Sequence, residues 1–175
     1  MLLYGENRKM KSILLSIRPE LVAKILNGEK TIEVRKKYPQ NYVGWVYIYC
    51  TKDKKYANLI NRGGFLTGMV VARFWCDNVE EIDIYTNRIY ETKTLNQLEL
   101  LEKSCLSHCE LFEYLGEDYS KKGGYAIHIS KLEIFDKPKE LSEFNYWKDK
   151  SEYGCWYENK LTKAPQNYCY IEGEE

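Results

Sequence analysis

The chain has 175 residues, 44% of them hydrophobic and 30% charged, enough for one domain to bury a real core. Its 26 Lys and Arg balance 26 Asp and Glu, which excludes a global field that would draw in a nucleic-acid backbone; any such binding needs a local basic patch. No apolar run approaches the ~20 residues of a membrane span, and residues 1–9 lack the apolar stretch of a secretory signal, so a cytoplasmic protein with no membrane partner is expected.

Residues 1–11 are set apart as a disordered arm or an upstream start, and 12–175 are expected to form a single domain, with no internal repeat and no low-complexity linker. Ile13 to Arg18 reads as a buried first strand with Ser16 and Arg18 on one face. Pro19 suits the first position of a helix, Leu21, Val22, Ile25 and Leu26 form its stripe, and Gly28 ends it. The strand Thr31 to Arg35 then alternates. Ile32 and Val34 can enter a core while Thr31, Glu33 and Arg35 share the other face, and Lys30 at the bend can swing its ammonium onto that surface. The plainer alternative is a solvated strand face bearing a weak Glu33–Arg35 ion pair.

Lys36 to Asn41 makes a basic, turn-rich loop, and Trp45 to Thr51 is a strand expected at the centre of a sheet. Lys52 to Asn61 is a polar loop or short helix, punctuated by Gly63-Gly64. Leu66 to Ile82 reads as one long strand with a bulge or bend at Gly68. Two short helices fit Leu95 to Leu115, with seams at Leu95, Leu98, Leu101 and Cys105 and at Cys109, Phe112 and Leu115. Tyr125 to Phe135 reads as one strand, on which His128 is expected to be a satisfied core histidine. A helical turn at Leu141 to Phe144, an aromatic-rich loop between Tyr146 and Tyr157 and a last strand from Asn167 to Ile171 complete the chain.

The six cysteines include no CxxC pair. Cys105, His108 and Cys109 could meet on one helical face, but a structural zinc site needs two ligand pairs, so no metal is assigned. Nor is any cofactor: no phosphate-cradling glycine motif is present, and two histidines leave few nucleophile–base pairs. The order of strands and helices points to a small mixed barrel.

Several stretches together resemble the ASCH domain family of the PUA-like superfamily. They are Ser16-Ile17-Arg18-Pro19-Glu20; Gly28-Glu29-Lys30-Thr31-Ile32-Glu33-Val34-Arg35, which matches the G-x-K-x-x-E-x-R signature; Val46 to Thr51; Gly68 to Phe74; Tyr125 to Ile129; and Ala164 to Glu172. The likeness is greatest to stand-alone members associated with phages and bacteria. It implies an α+β fold, a PUA-like mixed β-barrel of about five to seven strands with flanking helices, and a cleft over Lys30, Glu33 and Arg35.

The partner it implies is RNA or a modified nucleoside or nucleotide, with roles in transcription or translation control. The ligand-binding residues are then Ser16, Arg18, Lys30, Thr31, Glu33, Arg35, Tyr49, Thr51, Gln166 and Tyr168. Arg35 and Lys30 would meet phosphate and Glu33 a base amino group, with Tyr38, Tyr49, Trp75, Trp156 or Tyr168 offering a ring to a base. The competing class is an enzyme, because some ASCH proteins are similar to N4-acetylcytidine amidohydrolases or ribonucleases. Lys30 and Glu33 would be its catalytic groups, yet Glu33 stands where the amidohydrolases carry a nucleophilic Thr. Binding is preferred.

Overall fold

The computed structural model describes residues 9–53, 67–85, 89–116, 123–147 and 159–175. Strands β1 (Lys9–Ile17) and β3 (Gly44–Cys50) run parallel, Ile13 opposite Val46 and Ile17 opposite Cys50. Parallel neighbours need a crossover, and here it is helix α1 (Pro19–Leu26) followed by strand β2 (Ile32–Arg35). Pro19 has no N–H to leave unpaired in the first turn, while Val22 and Ile25 are buried. Gly28 ends the helix at φ +76°, a left-handed conformation that disfavours a Cβ even though open space surrounds it.

Beyond β3 come β4 (Val70–Cys76), β5 (Val79–Tyr85), β6 (Ile89–Glu91), β7 (Gly124–His128), β8 (Ser130–Lys139) and β9 (Tyr168–Glu174). They assemble, with β1 to β3, into a five-stranded sheet β8-β4-β3-β1-β9 and a four-stranded sheet β2-β7-β5-β6. β3 is central in the first. The chain crosses from one sheet to the other on either side of β2 and again in two short passages, across Asp77 and Asn78 and across Ile129, which curls the pair into an α+β barrel arrangement.

Those passages account for most of the difference between nine strands among the described residues and the five to seven expected. Apolar alternation continues through both, so Leu66 to Ile82 and Tyr125 to Phe135 each read as one strand. The backbone instead turns, with Lys131 at φ 44° just after the second passage. Gly68 lies in the turn before β4, and the register shifts fall in β3, between Ile48 and Tyr49, and in β4, between Val70 and Ala72 and between Arg73 and Trp75. β1 starts at Lys9, paired with Glu174, and so takes in residues 9–11. The aromatic loop with Tyr153 and Trp156 and the Gly63-Gly64 segment lie outside the described residues.

Helices α2 (Gln97–Ser104) and α3 (His108–Leu115) pack on the outer face of the four-stranded sheet, where Ile32, Val34, Ile82, Tyr90, Leu100, Leu111 and Ala126 form one core. Each opens with a reciprocal capping box, Asn96 with Glu99 and Ser107 with Glu110. The expected seams hold in part: Leu95, Leu101, Phe112 and Leu115 pack on this core. Leu98 is instead 77% exposed, and Leu100 and Leu111 are fully buried, because Leu95 precedes the helix and cannot set its phase. Cys105 ends α2 at φ 52°, so Cys105, His108 and Cys109 do not share a helical face. Among the described residues no group of three or more His, Cys, Asp or Glu is placed to hold a metal.

A second core lies between the sheets and α1, built from Ile13, Leu15, Ile17, Val22, Ile25, Val46, Ile48 and Phe74. A third covers the other face of the five-stranded sheet through Leu14, Tyr47, Phe144, Leu161 and Ile171. No helix among the described residues is long and apolar enough to cross a membrane.

Candidate functional site

Strand β2 decides where the polar groups go. Its alternation sends Ile32 and Val34 to the helices and leaves Glu33 and Arg35 facing the barrel interior, so the polar face is enclosed rather than solvated. Glu33 is 3% and Arg35 8% exposed. Lys30 joins them. The turn after Gly28 ties the Lys30 N–H to the Lys24 carbonyl, and its ammonium, 1% exposed, donates to the Ser104 carbonyl at 2.6 Å and lies 3.3 Å from Glu33 Oε2.

Ser104 is the last residue of α2, so Lys30 meets the negative end of the helix dipole, and Lys24 Nζ donates to the next carbonyl, that of Cys105. Burial lowers the Lys30 pKa from its ordinary 10.5, and Glu33 only partly opposes the shift.

Arg35 Nε lies 2.9 Å from Glu33 Oε1, but neither it nor Glu33 Oε2 has an aligned hydrogen bond, so the contact is chiefly coulombic. The fork of Arg35 is otherwise committed. Nη2 donates to the Ser16 carbonyl at 2.7 Å and Nη1 to Asn167 Oδ1 at 3.2 Å. Asn167 Nδ2 in turn donates to the Lys37 carbonyl at 2.7 Å, and Ser16 Oγ to the Pro165 carbonyl at 2.6 Å. Arg35 therefore fixes Glu33 and joins β1, β2 and the segment before β9. It is a positioning group that also lines the cavity.

These residues sit at the wall of a cavity of about 1110 Å³. Ser16, Arg18, Lys30, Glu33, Arg35, Tyr49, Thr51 and Gln166 all line it. Thr31 and Tyr168 do not. Thr31 is exposed and engaged through its backbone with Lys103 and Ile129, and the Tyr168 ring packs 5.6 Å from that of Tyr38. Tyr38 is itself core, with burial raising its pKa, and Trp75 stands edge-on to Trp45. Trp156 is outside the described residues.

Sequence reasoning missed Asn167, whose neighbour Gln166 was chosen instead, and the cavity wall given by α3 through Glu110, Glu113 and Tyr114. The signal for α3 was available: those three share its polar side, which is overlooked when only the apolar seam is followed.

A separate polar cluster lies on the four-stranded sheet. Glu80 accepts from Thr92 Oγ1, from the Thr94 N–H and hydroxyl, and pairs with His128 Nε2 at 2.7 Å. Desolvation raises the Glu80 pKa, but the hydrogen bonds from Thr94, Thr92 and His128 outweigh it and hold the carboxyl below its ordinary 4.5. His128, its side chain 27% exposed, ties β7 to Glu80 of β5, which in turn holds the segment after β6, and is not a core residue.

No protein-family model and no curated protein matches this chain. Among solved structures it resembles crystal structures of the ASCH protein from Zymomonas mobilis. A serine-to-alanine variant aligns with 15% identity and a TM-score of 0.55 over 91% of this chain and 87% of that one. The protein without a named substitution gives 18% and 0.53 over 75% and 74%, and a tyrosine-to-phenylalanine variant 16% and 0.51 over 75% and 77%. At such identities the likeness is one of fold, and the fold is the ASCH and PUA-like barrel.

Proposed function

We propose that this chain is a stand-alone, cytoplasmic ASCH domain of the phage and bacterial type. It binds RNA or a nucleoside or nucleotide in the cavity over Gly28 to Arg35 and acts in control of transcription or translation. The observation that carries this reading is Glu33. An ionised carboxylate only accepts hydrogen bonds, and Glu33 lines the cavity beside the Lys30 ammonium, 3.3 Å away. A nucleobase edge complements that pair, with an N–H for the carboxylate next to an acceptor for Lys30.

Catalysis is not part of the proposal. Glu33 stands in place of the nucleophilic Thr of the amidohydrolases, and its carboxylate is tied into ion pairs with Lys30 and Arg35. Thermal unfolding in the presence of a panel of nucleosides, nucleotides and a short single-stranded RNA tests the reading. A bound ligand raises Tm by mass action, and Glu33→Ala should abolish the rise. An unchanged Tm with every compound at millimolar concentration would refute it.

A further inference from the structure

The charges around the cavity define the form of the ligand, given the base-binding reading above. Arg35, 8% exposed and bonded to Ser16 and Asn167, and Lys30, 1% exposed, are both withdrawn from solvent, so the cations open to a phosphate lie at the mouth. There the exposed cations Arg18, Lys36, Lys37 and Lys52 face the exposed carboxylates Glu110 and Glu113 of α3. Lys36 Nζ stands 5.4 Å from the centre of the Tyr114 ring, which brings the basic and acidic walls together. Over the whole lining, Arg18, Lys30, Arg35, Lys36, Lys37 and Lys52 stand against Glu33, Glu110, Glu113 and Glu20, the partner of Arg18 at 3.4 Å, an excess of two positive charges that matches the roughly −1.5 to −2 of one phosphate monoester. A strand running through the site would carry successive phosphates past Glu110 and Glu113, where like charges repel.

We infer that the cavity takes one nucleotide bearing a terminal phosphate, with its base edge at Glu33 and its phosphate at Lys36 and Lys37, and not the interior of a strand. The volume of about 1110 Å³ is slightly above the range of small-molecule sites, about 300–1,000 Å³, and leaves room for a base, a sugar and a phosphate. Free nucleoside monophosphates and the phosphorylated ends of chains share this chemistry.

Calorimetric titration of the full chain tests it, using the four ribonucleosides, their 5′- and 3′-monophosphates, and tetranucleotides with and without a terminal phosphate. The preferred monophosphate should bind at least about tenfold more tightly than its nucleoside, since charge-assisted hydrogen bonds are the strong ones. Its affinity should fall with salt at a log–log slope of about one, the value for few phosphate contacts.

A terminally phosphorylated tetranucleotide that matches the monophosphate supports a chain end as the ligand. One that fails to bind, beside a monophosphate that binds, supports the free nucleotide. The double variant Lys36→Ala/Lys37→Ala, at exposed positions, should reduce the monophosphate to the affinity of the nucleoside. Affinity that climbs with chain length whatever the terminus, or nucleosides that bind as tightly as monophosphates, would overturn the inference and leave the base-binding reading standing. An absence of binding by every probe would overturn both.

Discussion

The Lys30 ammonium lies 2.6 Å from the Ser104 carbonyl, joining the signature turn to the end of a helix 74 residues away. Lys30 is thereby both a wall of the cavity and a cap for α2, so its two roles must be separated by experiment. Lys30→Ala leaves Glu33 without its cation and Ser104 without its donor. Breaking a buried pair in this way costs about 3–5 kcal/mol, to be read from chemical denaturation. A loss below about 1 kcal/mol, the value for a surface pair, would show that the ammonium is solvated.

Asn167 and Gln166 make a matched comparison. Asn167→Ala removes the partner of Arg35 Nη1 and the donor to the Lys37 carbonyl, with an expected loss of about 1–3 kcal/mol in unfolding free energy. Gln166 is exposed, and its replacement by Ala should move stability by less than about 0.5 kcal/mol. Equal effects would refute the clamp assigned to Asn167.

Glu80 supplies an acid-sensitive element. Its folded-state pKa lies below the ordinary 4.5, so its stabilisation is present above that value and is lost as the pH falls through the lowered one. Thermal unfolding followed from pH 6 to pH 2 should show a steeper decline for the wild type than for Glu80→Gln. Parallel curves would exclude the carboxylate as a source of the decline.

Thiol reactivity should divide by burial. Cys50 and Cys76 are buried and their pKa values are pushed up to about 12 by desolvation, so little thiolate forms at pH 8. Cys109 is exposed. Brief alkylation of the native protein, read by peptide mass spectrometry, should label Cys109 and spare Cys50 and Cys76 until denaturant is added. Rapid native labelling of Cys76 would contradict the packing of β4.

What was legible in the sequence was whatever local patterning controls. Pro19 and Gly28 bracket α1, and alternation in β2 separates Ile32 and Val34 from Glu33 and Arg35. Long-range geometry was not. Alternation cannot report that the chain changes sheets at Asp77 or Ile129, because the side-chain period survives the turn while the pairing partner changes. The same limit hid the partners of the site. Thr31 fits the polar pattern yet is exposed and off the cavity, whereas the backbone carbonyls of Ser16 and Ser104 leave no trace in residue type.

The bond from Arg35 to Asn167 spans 132 residues, and β1 pairs along its edge with β9 from the far end of the sequence. A growing polypeptide must therefore hold strand β2 without its final neighbours while the intervening residues are made. The buried charges of Lys30, Glu33 and Arg35 acquire their full surroundings only after residues 164–174 have left the ribosome. Loop closure over such a separation comes late and slowly, so this wall of the cavity should be among the last parts of the fold that a nascent chain completes.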